Sequence, residues 1–282
     1  MVNIRDLDPS ASPLDYYGFE LRRLREDAKL KQGQLGEIIY CTGSLIGQIE
    51  TARKVPTRDF SERLDAALGA DGHFSRLVGL VLRSQLPTWF QAYAEMEVRA
   101  THISSFQPQL VYGLLQTQKY ARAVLQAGWG KKLDDAVAAR MERQRILQRE
   151  GPPLVWVILD EAVLYRPFGS REIMREQLQR LLDFRHCREV GIQILPFSAG
   201  QHPATVGAFN VLRFGGDPDI VYAESYGSAH VTANPETAGD CAHRYDHLQA
   251  AALSVEDSAA LIARVREERY GDHAGPDEHT VA

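Results

Sequence analysis

The sequence predicts an α+β protein: an all-α N-terminal domain of five short helices, then a helical segment and a C-terminal α+β domain with about four strands. Three observations carry this prediction. From residue 16 to 83 apolar residues recur at three- and four-residue steps, the period of amphipathic helices. Gly151-Pro152-Pro153 ends the helical pattern, and beyond it short apolar, β-branched runs alternate with helical ones. A length of 282 residues suits about two domains with ordinary cores.

Residues 1–14 are polar, contain Pro9 and Pro13, and show no periodicity, which predicts a mobile arm. Helices are expected at 16–28, 32–40, 43–51, 57–68 and 73–83, with Thr42, Thr57 and Asp71 as N-caps. Phe19, Leu21, Leu24, Leu35, Ile38, Ile39, Ile46, Ile49, Phe60, Leu64 and Leu68 are the candidate core of this domain, which spans 15–83. Pro87 disfavours helix in Leu86 before it, so 84–88 reads as a linker. A second domain then covers 89–270. Its helices are expected at 89–103, 114–126 and 134–150, followed by a strand at 154–159, a helix at 171–187 and strands at 190–195, 207–214 and 219–225. Helices at 235–253 and 255–269 close it, and the polar residues 271–282 read as a disordered tail.

No run approaches the roughly 20 apolar residues of a membrane span, and the N-terminus lacks the apolar core of an export signal. The three cysteines, Cys41, Cys187 and Cys241, form no repeated spacing and argue for a reducing compartment. The expectation is a cytoplasmic protein without membrane contact. Its formal charge of −5 is unevenly spread. Residues 19–58 hold eight basic and five acidic side chains, a local +3, which leaves −8 for the rest. A basic head on an acidic body can hold a phosphate backbone with one end and discourage non-specific contact at the other.

The most informative window is residues 30–56. A helix starting at Gln32, a turn at 40–42 and a second helix starting at Gly43 have the spacing that lays a second helix in a DNA major groove. Leu35, Ile39, Ile46 and Ile49 would join the pair, leaving Gly43, Ser44 and Gln48 outward. Gln48 is the best base reader, because its amide can both donate to and accept from an adenine edge, and Leu45 can touch a thymine methyl. Gln32 and Thr42, at helix N-termini, suit phosphate contacts, while Arg53 and Lys54 add charge in the following loop.

These residues resemble the XRE-type helix-turn-helix of Cro and phage repressors, above all in Gln32-x-x-Leu35, Ile46-x-x-Ile49-Glu50, Arg53 and Pro56. The resemblance covers about 65 residues. It departs at Gly36, where the family usually has Ala; at Tyr40, where Gly often makes the turn; at Gly47, where a polar residue is usual; and at Ala52, where Gly is common. On propensity alone an interior helical glycine costs about 1 kcal/mol relative to Ala.

Further runs resemble the C-terminal domain of a large group of actinobacterial XRE-type regulators that includes the WhiJ-like proteins. They are Gly113-Leu114-Leu115-Gln116-Thr117 with Tyr120-Ala121-Arg122, Arg140-x-Glu142-Arg143-Gln144, Asp160-Glu161-Ala162-x-Leu164, Glu176-Gln177-Leu178, Ile194-Leu195-Pro196-Phe197 with Gly200-x-His202, and Val221-Tyr222-x-Glu224. Tyr112 departs from it, standing where Pro is frequent. The resemblance implies a repressor whose DNA occupancy depends on a small acidic BldB-like protein or a small-molecule effector. Some members are antitoxin-like, so a second reading is an interaction protein that sequesters a small partner. Binding to a two-fold operator on double-stranded DNA implies a homodimer.

Asp160, Glu161, His202 and Glu224 fall at predicted strand ends, where acid–base chemistry can be built. No nucleophile motif, phosphate loop or Gly-rich turn accompanies them, so no enzyme activity and no cofactor are assigned. Cys241, His243 and His247 lie together on a predicted helix, but a fourth ligand is not evident and no metal is assigned. Trp89, Phe90, Tyr93, Tyr112 and Trp129 concentrate near the domain boundary as core, ligand cage or interface.

Overall fold

The computed structural model describes residues 7–128, 132–205, 207–225 and 228–271. Trp129, the first six residues of the expected arm and all but the first residue of the expected tail lie outside them. The chain divides into two units, Met1–Thr88 with Asp134–Glu142, and Trp89–Leu133 with Arg143–Ala282.

The first unit holds α1 (Pro13–Asp27), α2 (Gln32–Ile38), α3 (Gly43–Ile49), α4 (Arg58–Leu68) and α5 (His73–Ser84). Its first helix begins at Pro13, within the stretch expected to be an arm. Pro13 is favoured in the first turn, and the Ser12 hydroxyl caps it by accepting from the Asp15 N–H. Thr42 and Thr57 cap α3 and α4 in the same way. Asp71 does not cap α5. The residue before that helix is Gly72, in the left-handed region, and the Asp65 carboxylate reaches from α4 to accept from the N–H groups of Phe74 and Ser75, each at 2.8 Å.

Tyr17, Leu21, Leu35, Ile39, Ile46, Ile49, Phe60, Leu64, Phe74 and Val78 close the core. Two expected members are outside it: Phe19 is 40% exposed and Ile38 49% exposed. Phe19 sits two residues from the fully buried Leu21 and Ile38 one from the deeply buried Ile39, so the apolar stripe is narrower than the sequence pattern. Residues 134–142 also belong to this unit; they come from α8 (Leu133–Arg143). Ala138 packs on the core and Glu142 forms an ion pair with Arg58.

The second unit is built on a six-stranded mixed sheet. In chain order its elements are α6 (Thr88–Arg99, joined from Trp89), β1 (His102–Gln107), α7 (Gln118–Ala127), β2 (Leu154–Asp160), α9 (Ala162–Tyr165), α10 (Arg171–Asp183), β3 (Val190–Leu195), β4 (Phe209–Arg213), β5 (Ile220–Ser225), β6 (Ser228–Thr232), α11 (Pro235–Ala251) and α12 (Val255–Tyr270). The strand order is β3-β2-β1-β4-β5-β6; the two pairings among β1, β2 and β3 are parallel and the other three antiparallel. The α+β class stands, with two strands beyond the four expected. One of them, β1, lies at the centre of the sheet and begins where the 89–103 helix was expected to end. Phe106 pairs with Ile158 on one side and Phe209 on the other, and these three join Val211, Val221, Tyr245 and Leu248 in the core beneath α11. No helix among the described residues is long and apolar enough to cross a membrane.

Candidate nucleic-acid interface

The two helices α2 and α3 meet at their backbones because glycine allows it. A Cβ on Gly36 would stand 2.7 Å from the Cys41 carbonyl oxygen, and one on Gly43 2.9 Å from the Gly33 nitrogen. Gly43 therefore faces α2 and not outward, a correction to the expected outer face; any contact it makes to DNA is through its backbone. Leu45 is half-buried against the core, so it too is less available than expected. Ser44 and Gln48 are exposed on α3, with the Gln48 amide 3.4 Å from the Ser44 hydroxyl. Thr42 is exposed, and its hydroxyl accepts from the Leu45 N–H at 3.2 Å. Arg53 and Lys54 are exposed in the loop that follows.

A fully buried carboxylate fixes the pose of α3. Glu50 accepts from Arg25 through Nε at 2.5 Å and Nη2 at 3.1 Å, and from Gln32 Nε2 at 2.8 Å. Arg22 donates to the Glu50 carbonyl at 3.2 Å. The hydrogen bond to Glu50 raises the Arg25 pKa above its ordinary value, against the effect of burial. One residue thus ties α1, the start of α2 and the end of α3 together. The Gln32 side chain, expected at a phosphate, lies over Gly47, where an added Cβ would come 3.1 Å from its Oε1.

Arg22, Gln32, Ser44, Gln48, Thr51 and Arg53 are among the residues that line a groove of about 570 Å³ beside α3. Its lining carries the guanidiniums of Arg22, Arg25 and Arg53 and the amides of Gln32 and Gln48, donors that phosphate oxygens and base edges require, together with the carboxylates of Glu26 and Glu50. Arg22 and Arg25 were counted in the sequence only as charge. Their signal was Glu50, since a motif carboxylate among apolar residues needs a cationic partner, and two arginines three apart on the preceding helix can reach one site.

In the second unit each residue considered for catalysis has a local partner. Asp160 accepts from the Ala162 N–H at 2.8 Å, Glu161 accepts from the Phe197 N–H at 2.8 Å, and Glu224 accepts from the Tyr222 hydroxyl at 2.6 Å. The His202 ring packs edge-on to Phe106, and its Nδ1 accepts from the Ala204 N–H at 3.3 Å. Phe90, Tyr93 and Tyr112 are buried, whereas Trp89 is half-buried. Phe90, Tyr93 and Tyr112 surround an ion pair that sequence reasoning missed: Arg143 Nε lies 2.7 Å from Glu97 Oε2, both side chains being buried. Tyr112 donates to Glu97 Oε1 at 2.7 Å, and the Arg143 guanidinium lies 4.8 Å from the Phe90 ring centre. Burial opposes the charge on Arg143, but Glu97 and the tyrosine hydroxyls outweigh it and hold its pKa above the ordinary value. The Tyr93 ring also stacks on Tyr222 at 3.9 Å.

Residues 17–76 match the family model of a helix-turn-helix domain, and residues 90–264 match that of a domain of unknown function, DUF5753. Comparisons with curated proteins and with solved structures give no match. A helix-turn-helix followed by this domain supports the expected regulator, and the WhiJ-like group is a finer assignment than these matches make. With residues 17–76 matched by the helix-turn-helix model and most of the chain matched by the second model, the chain is a DNA-binding helix-turn-helix regulator and belongs to the DUF5753 family.

Proposed function

We propose that this protein is a cytoplasmic transcriptional repressor that binds a two-fold operator as a homodimer, with the second unit receiving a small protein or a small-molecule effector that sets occupancy. The observation that carries the reading is the exposed pair Ser44 and Gln48 on a helix whose pose is fixed through Glu50. Phosphate contacts from Arg53, Lys54, Thr42 and the backbone at Gly43 would set register, and Gln48 would read a base. The role proposed is binding rather than catalysis, a reading supported by the engagement of Asp160 and Glu161 as backbone acceptors. The glycines at 36 and 43, unfavourable on helix propensity alone, permit the close approach of α2 and α3.

The test begins with selection of an operator from randomised duplexes by the full chain. Gln48→Ala should lose about 1–3 kcal/mol on the selected site and little on unrelated DNA. Arg53→Ala should weaken both and reduce the salt slope by about one phosphate equivalent. Equal loss on all sequences would remove Gln48 as a base reader, and failure to enrich any sequence would remove the repressor reading.

A further inference from the structure

His243 and His247 stand four residues apart on α11, a 17-residue helix begun by Pro235 and capped by the Asn234 side chain. Ala238, Tyr245 and Leu248 form the buried face of this helix, which leaves both histidines exposed on the opposite one. Their Nε2 atoms are 3.1 Å apart, with ring centres at 4.5 Å and planes 85° apart. Two imidazole nitrogens aimed at each other cannot both present lone pairs. A proton or a cation must lie between them.

That spacing is also the bite of a chelate. Imidazole nitrogens lie about 2.0–2.1 Å from zinc, so two of them on one ion are about 3.4 Å apart at a tetrahedral angle and about 2.9 Å apart at a right angle. The observed 3.1 Å falls between. We propose that His243 and His247 form a bidentate site for a borderline transition-metal dication such as Zn²⁺, Ni²⁺ or Cu²⁺, the class that imidazole favours.

No group of three or more potential ligands assembles among the described residues. Cys241, expected beside the histidines, is half-buried and packs against the sheet core, and Asp240, one turn before His243, is held by Arg244 at 2.8 Å. The ion therefore keeps open positions, to be filled by water or by a donor from another molecule.

The experiment is calorimetric titration of the full chain, without a polyhistidine tag, with NiCl₂ and ZnCl₂, together with electron paramagnetic resonance of its Cu²⁺ complex. Saturable binding and couplings from two imidazole nitrogens are expected. H243Q and H247Q should each lose the saturable binding while keeping the wild-type circular dichroism, and H186Q, a substitution on a different element, should retain it. Absence of saturable binding by the wild-type chain, or wild-type affinity in either single glutamine variant, would overturn the site and leave only a histidine–histidine hydrogen bond.

Discussion

Tyr40 and Ala52 hold φ angles of +57° and +54°, in the left-handed region that side chains with a Cβ adopt at a cost. Tyr40 is also 87% exposed, so its ring recovers little by burial. Tyr40→Gly should raise stability in urea unfolding by about 1 kcal/mol, the strain relieved being partly offset by added backbone entropy in the unfolded chain. Gly36 behaves in the opposite sense. Gly36→Ala would improve helix propensity, yet it drives a methyl to 2.7 Å from a backbone carbonyl, and the same measurement should show a loss of about 1–3 kcal/mol. Both positions were visible in the sequence as departures from a repressor-like pattern. The sign at Gly36 was not, because propensity is local and the Cys41 carbonyl enters only when the turn folds back.

Helix α5 shows why caps are harder to read than helices. The Phe74 and Ser75 N–H groups in its first turn are satisfied by Asp65 from α4, whose carboxylate also accepts from the Ser75 hydroxyl at 2.6 Å. Asp65→Ala should therefore cost about 2 kcal/mol in thermal or urea unfolding, the upper end for a cap, whereas Thr57→Ala, which removes a single capping acceptor, should cost about 1 kcal/mol. Strand β1 was missed for a related reason. Ser104, Ser105 and Gln107 interrupt the apolar run that marks a buried strand, but the Ser105 hydroxyl donates to Asn210 Oδ1 on β4 at 2.7 Å and the Gln107 amide donates to Ser105 at 2.9 Å. Polar residues become acceptable in a sheet centre once a neighbouring strand supplies their partners, and that neighbour lies about a hundred residues away. The strands at 154–160 and 190–195 were legible because each is a short apolar run with clear boundaries. The edge strand β6, half-exposed over Ser228–Thr232, offers no such run.

For the molecule as a whole, a costly group to disturb is the buried Glu97–Arg143 pair in the second unit. Removing one member strands the other in a buried, low-dielectric setting. Arg143→Met alone should destabilise that unit by about 3–5 kcal/mol, and combining it with Glu97→Leu should recover most of the loss. Additive losses in that cycle, read from urea unfolding, would show that the two side chains do not act as a pair. The division of labour was legible at this level: the basic window and its helix-turn-helix spacing located the DNA-binding end. The internal wiring was not, since Glu97 and Arg143 are 46 positions apart and nothing in their local patterns links them.

The position of β1 at the sheet centre bears on how the chain acquires its structure. His102 is opposite Leu154 on one side and Arg213 on the other, so the middle of the sheet is joined across gaps of 52 and 111 residues. Loop closure over such distances must precede the reward of pairing. During synthesis β1 would emerge long before β4, leaving Ile103 and Phe106 to wait for the residues that cover them. The helices up to residue 84 pair mainly with near neighbours in sequence and can form early. The slow step in making this regulator therefore belongs to the sheet, and the DNA-reading helices precede it.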